Sequence, residues 1–63
     1  MRRRYRLKRF ALLVKTGEEE SDIVKESFAM TCESNNRDFD QVWNEREVKS
    51  DNGSGLTMVT VWM

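Results

Sequence analysis

Apolar and polar residues alternate along the first quarter of the chain. Tyr5 and Leu7 alternate with Arg4, Arg6 and Lys8; after Arg9 the phase changes, and Phe10, Leu12 and Val14 share one side with Ala11 and Leu13 opposite. A period of two predicts a β-strand over residues 4–15. The slip in phase predicts a bulge near Lys8-Arg9, or a segment buried on both faces. Residues 1–3 form a basic N-terminus that is expected to fray.

The period then changes. Thr16 followed by Glu19 matches the S/T-x-x-E capping box. Glu18, Glu19, Glu20 and Asp22 place negative charge where the first turns of a helix favour it. Val24, Phe28 and Cys32 step by four, and Ile23 and Met30 lie seven apart, so all five are assigned to one broad apolar stripe. Asn35-Asn36 is a natural stop, because asparagine tolerates the left-handed conformation. The helix predicted within residues 16–35 has about 17 residues and is ~25 Å long.

Residues 38–49 read two ways. As a strand, Phe39, Gln41, Trp43, Glu45 and Glu47 alternate with Asp40, Val42, Asn44, Arg46 and Val48. As a helix, Phe39, Val42, Trp43 and Arg46 fall on one stripe. The C-terminal residues favour the strand: Asp51-Asn52-Gly53-Ser54-Gly55 is a turn cluster, and Leu56 to Met63 is a β-branched and apolar run. Strand, turn and strand make a hairpin, in which Trp43 and Trp62 are candidates to pair across the strands.

The fold class expected is therefore α+β. Residues 1–63 form a single two-layer domain in the order β-α-β-β, with one helix packed on a small antiparallel or mixed three-stranded sheet. With 63 residues there is room for one core only. A chain of this size buries about 60% of its surface on folding, so oligomerisation or a partner would support it. Residues 56–63 carry no charge and no proline. Either this strand is central, or its edge is free to pair with another chain through Val59, Val61 and Met63, giving a homodimer or strand addition to a partner.

Net charge is zero, from 11 basic and 11 acidic residues, but the signs are segregated. Residues 1–16 hold Arg2, Arg3, Arg4, Arg6, Lys8, Arg9 and Lys15 and no acid. Residues 17–47 hold most of the carboxylates. The two charges either compensate each other across the fold or leave one face to steer a charged partner.

Catalytic chemistry is thinly supplied. There is no histidine, hence neither the commonest metal ligand nor the usual neutral-pH base. Cys32 stands alone, which excludes an intrachain disulfide and a Cys/His zinc site. It reads as a small core residue kept reduced in the cytoplasm. Glu18-Glu19-Glu20 reads as a solvated helix start. Gly53-Ser54-Gly55 is neither a nucleophile elbow nor a phosphate loop, and Asp51-Asn52-Gly53 lacks the downstream glutamate of a calcium loop. No cofactor, metal or enzyme activity is expected. The apolar stretch Phe10–Val14 is too short for a signal peptide, and no run approaches the ~20 residues of a membrane span.

Two binding functions remain. The first is a protein-binding module that occupies a surface of a larger partner. Its candidate contact residues are Trp43, Glu45, Glu47 and Asp40, since a tryptophan among acids suits a partner with a basic pocket. Small cysteine-poor domains of this kind are common among phage and mobile-element inhibitors of host machinery. The alternative is a nucleic-acid accessory domain. It would use Arg2, Arg3, Arg4, Tyr5, Arg6, Lys8 and Arg9, where arginine binds phosphate bidentately and tyrosine offers a stacking face.

Overall fold

The computed structural model describes residues 7–51 and 53–63. Its elements are β1 (Arg9–Lys15), α1 (Asp22–Ser34), α2 (Phe39–Asn44), β2 (Glu47–Asp51) and β3 (Leu56–Trp62). The strands form one antiparallel sheet in the order β1-β3-β2. The fold is the expected α+β domain, with a second, short helix added between α1 and β2.

β1 is regular. Arg9 faces Trp62, Phe10 faces Val61, and the register runs unbroken to Lys15 opposite Leu56. Lys8 and Met63 exchange both backbone hydrogen bonds, at 2.8 and 3.0 Å, which continues the same register. The bulge expected near Lys8-Arg9 is absent: from Lys8 onward the strand keeps one phase, with Phe10, Leu12 and Val14 packed on the core and Ala11 and Leu13 exposed. Residues 4–6, the start of the strand read from the sequence, lie outside the described residues.

α1 begins later than the capping-box pattern suggests. Ser21 is the N-cap, its Oγ accepting from the Val24 N–H at 3.4 Å. Thr16 extends β1 instead: its N–H donates to the Gly55 carbonyl at 2.9 Å, and its hydroxyl lies 2.9 Å from that of Thr57. Gly17, at φ +102°, turns the chain out of the strand. Glu18, Glu19 and Glu20 precede the helix, and Asp22 alone of the four acids lies in its first turn. The helix has 13 residues and closes as the asparagine pair predicts. Asn36 takes φ 56°, the Arg37 N–H donates to the Cys32 carbonyl at 2.8 Å, and the Asn36 N–H donates to that of Glu33 at 3.3 Å. That is a Schellman ending with asparagine in the left-handed position.

The apolar stripe of α1 is narrower than its composition. Val24, Phe28 and Cys32 are buried, whereas Ile23 is 76% and Met30 64% exposed. Each residue advances about 100° around a helix, so Ile23 and Met30 share a side turned away from the other three.

Residues 39–44 are helical, not extended. The helical stripe was the correct one: Phe39 and Trp43, four apart, stack at 5.6 Å between ring centroids, and Phe28 meets the same indole at 6.0 Å. Trp43 therefore packs with α1 and cannot pair across a hairpin. The cross-strand neighbour of Trp62 is Arg9. β2 starts at Glu47, and Gly55, at φ +74°, leads into β3.

Val24, Phe28, Cys32, Val42, Val59, Val61 and Met63 form the core, with Phe10, Leu12, Val14, Phe39 and Trp43 packed around it. Both helices thus cover one face of the sheet. Thr57 is fully enclosed, and its hydroxyl is satisfied by Thr16 at 2.9 Å and Ser50 at 3.1 Å, one partner from each side of β3.

Candidate partner-binding surface

The strand register sorts the remaining side chains. Cross-strand partners share a face, so Arg9, Ala11, Leu13 and Lys15 of β1 lie beside Trp62, Thr60, Met58 and Leu56 of β3. Glu47, Lys49 and Asp51 of β2 complete the same layer. No helix covers it. Leu13 is 56%, Trp62 40% and Leu56 37% exposed, and Met58 is half-buried between its neighbours. A shallow groove of about 490 Å³ runs over Leu13, Leu56 and Met58 and is rimmed by Lys49, Asp51 and Ser54. The Arg9 guanidinium reaches in from β1 to 3.9 Å from the Met58 sulfur.

The charges on this face are ordered. Arg9 and Lys15 stand at the two ends of β1, and Glu47 and Asp51 at the two ends of β2, with Lys49 between them. The apolar side chains occupy the middle, a pattern of apolar centre and polar rim common to protein-contact surfaces.

The residues proposed from the sequence are dispersed. Trp43 is half-buried against Phe28 and Phe39, and the Arg46 guanidinium caps its ring at 4.3 Å. Asp40 and Glu45 are exposed on α2 and at its end, while Glu47 sits on the open sheet face. Asp40 precedes Trp43 by three residues on the same helix, whereas Glu47 lies on the sheet face away from it. Val59, Val61 and Met63 are core residues, and β3 is flanked on both sides. The C-terminal strand is thus the central one, with no edge to offer a second copy. Of the basic run, Lys8 and Arg9 are exposed at the start of β1; Arg2, Arg3, Arg4, Tyr5 and Arg6 lie outside the described residues.

Leu13, Leu56, Met58 and Trp62 were not singled out as a site by the sequence. The signal was present in β1, whose alternation leaves Ala11 and Leu13 on a second apolar side. It was unreadable in β3, where both sides are apolar or hydroxylic and period two carries no contrast.

Cys32 is buried at 1% exposure. Burial pushes its thiol pKa up, nearby Asp38 adds to the rise, and Arg37 opposes it. A protonated, enclosed thiol is a poor nucleophile. Among the described residues no cluster of three or more carboxylates or thiols converges as metal ligands would, and no helix is long and apolar enough to cross a membrane.

No known protein family, curated protein or solved structure matches the chain.

Proposed function

We propose that this chain is a non-enzymatic binding module that occupies a surface of a larger protein through the uncovered face of its sheet. The observation that carries this reading is the cluster Leu13, Leu56 and Met58, with Trp62 beyond Thr60 on the same face, left open in a molecule with few apolar residues to spare. Met58, near the middle of β3, supplies adaptable contact area, and Trp62, four residues further along the same face, supplies rigid area. Occupation of a partner's surface in this way modulates or inhibits that partner without chemistry of its own.

The test is affinity capture from the source cells with the wild-type chain and with a folded L13K/W62A variant. A defined protein retained by the first, lost by the second and indifferent to nuclease is the expected result. Equal retention by both would remove this face from the reading.

One observation favours a second reading, nucleic-acid contact. Arg9 and Trp62 are direct cross-strand neighbours on the open face, with Lys15 and Lys49 on the same layer. A cation beside a stacking ring suits a single-stranded nucleic acid. Retention on an oligonucleotide that falls steeply with salt, and capture abolished by nuclease, would establish this alternative and displace the first.

A further inference from the structure

Among the described residues both outer strands of the sheet have a free edge, but the two edges differ. β2 has five residues, all exposed, and three of them (Glu47, Lys49 and Asp51) are charged. Short and charged, it is blunted against pairing. β1 has seven residues and, from Phe10 to Val14, neither charge, proline nor bulge.

The phase of the hydrogen bonds says which groups this edge presents. Lys8 exchanges both bonds with Met63, and the Thr16 N–H bonds to Gly55. By the alternation of an antiparallel ladder, Phe10, Leu12 and Val14 turn their backbone groups inward to β3. The N–H and C=O groups of Arg9, Ala11 and Leu13 point outward, and their side chains lie on the open face. The edge and the open face are therefore one continuous surface. It is bracketed by Arg9 and Lys15, six residues apart.

We propose that the β1 edge takes an extended, acidic segment of the partner protein as a fourth strand. This rests on the protein-binding function and names the partner's chemistry. Cross-strand complementarity to Arg9, Ala11, Leu13 and Lys15 calls for the pattern acid-x-apolar-x-apolar-x-acid on the incoming strand. The backbone supplies affinity, and the two carboxylates fix register.

A second copy fits less well. Pairing β1 with β1 in full overlap sets Arg9 opposite Lys15 at both ends, like charge on like. Pairing β1 with the β2 edge of another copy also fails. The outward groups of β2 belong to Val48 and Ser50, so that pairing inverts the second sheet and carries Glu47 and Asp51 to the face away from Arg9 and Lys15.

The probe is a capped nine-residue peptide with glutamate at its second and eighth positions, valine at its fourth and sixth, and threonine elsewhere. Backbone amide exchange of the whole chain is read by NMR. At saturation the amides of Arg9, Ala11 and Leu13 are expected to slow by about tenfold or more, while the same peptide with lysine for glutamate leaves them unchanged. An R9E/K15E variant should reverse that preference, and its native amide pattern shows that it remains folded. The proposal is overturned if those three amides exchange unchanged with the acidic peptide, or if the lysine peptide protects them equally. It is overturned also if a single-stranded oligonucleotide protects them and displaces the peptide. Shifts confined to Leu56, Met58 and Trp62 would sink the fourth strand and leave the open-face reading standing.

Discussion

The guanidinium of Arg46 lies 4.3 Å over the indole ring of Trp43 while its Nη2 donates to Glu20 at 2.7 Å and its Nη1 to the Trp43 carbonyl at 2.9 Å. One side chain thereby ties the end of α2 to the turn that precedes α1. The ion pair is the weaker part, because the Glu20 side chain is 61% exposed and water screens it. Stacking and the carbonyl bond make up the rest. Arg46→Ala should cost about 1–2 kcal/mol in urea unfolding. Glu20→Gln should cost under ~1 kcal/mol, and less still in high salt. Equal losses for the two variants would show that the ion pair carries the contact.

Ser21 and Thr16 separate two roles that the S/T-x-x-E pattern merges. Ser21→Ala removes the side-chain cap and should lower stability by about 1 kcal/mol, while Ser21→Asp should retain the cap. Thr16→Val leaves the helix start intact and takes one of two partners from the enclosed Thr57 hydroxyl. Native-state amide exchange at the first turn of α1 should quicken in Ser21→Ala by more than the loss of global stability accounts for, and in Thr16→Val by no more than that loss.

Asn36 holds a left-handed backbone at φ 56°. Asn36→Gly should be neutral or slightly stabilising, since glycine adopts this region without strain. Asn36→Ala should cost about 1 kcal/mol. Thermal unfolding of the two variants checks the order, and an alanine variant as stable as the glycine one would refute the Schellman ending.

Phe28 is 4% exposed and joins the strands to both helices through the core and Trp43. Phe28→Ala should cost about 3–5 kcal/mol, enough to unfold much of a domain this small. Trp62→Ala, on the open face, should cost far less. Comparable losses from the two would mean that Trp62 is a core residue.

The Cys32 thiol, raised above its ordinary value of 9.0 by burial, gives the folded state a pH limit. The folded chain holds this proton more tightly than the unfolded chain. The contribution is complete below the ordinary value and is lost as pH rises from there through the raised folded value. Stability should therefore fall in alkali, and the fall should be reduced in Cys32→Ala relative to that variant's own neutral-pH stability. Alkylation of Cys32 at neutral pH should proceed only as fast as the chain opens.

Local signals along the chain are enough for part of this fold. The alternation from Phe10 to Val14, the four-residue steps of Val24, Phe28 and Cys32, the asparagine stop and the turn before Leu56 each act within one element. They were sufficient for an α+β domain and for a core cysteine. Tertiary structure decided what depends on neighbours. Residues 39–44 form a helix that places Val42 in the core and sets Trp43 against both Phe39 and Phe28, although their alternation also suited a strand. Leu56 to Trp62 became the central strand because β1 and β2 both pair with it. Which apolar side stayed open followed from where two short helices could lie, since they cover one face and the chain has no third helix among its described residues to cover the other. A side chain's exposure is set by what packs over it, and no period along the chain encodes that.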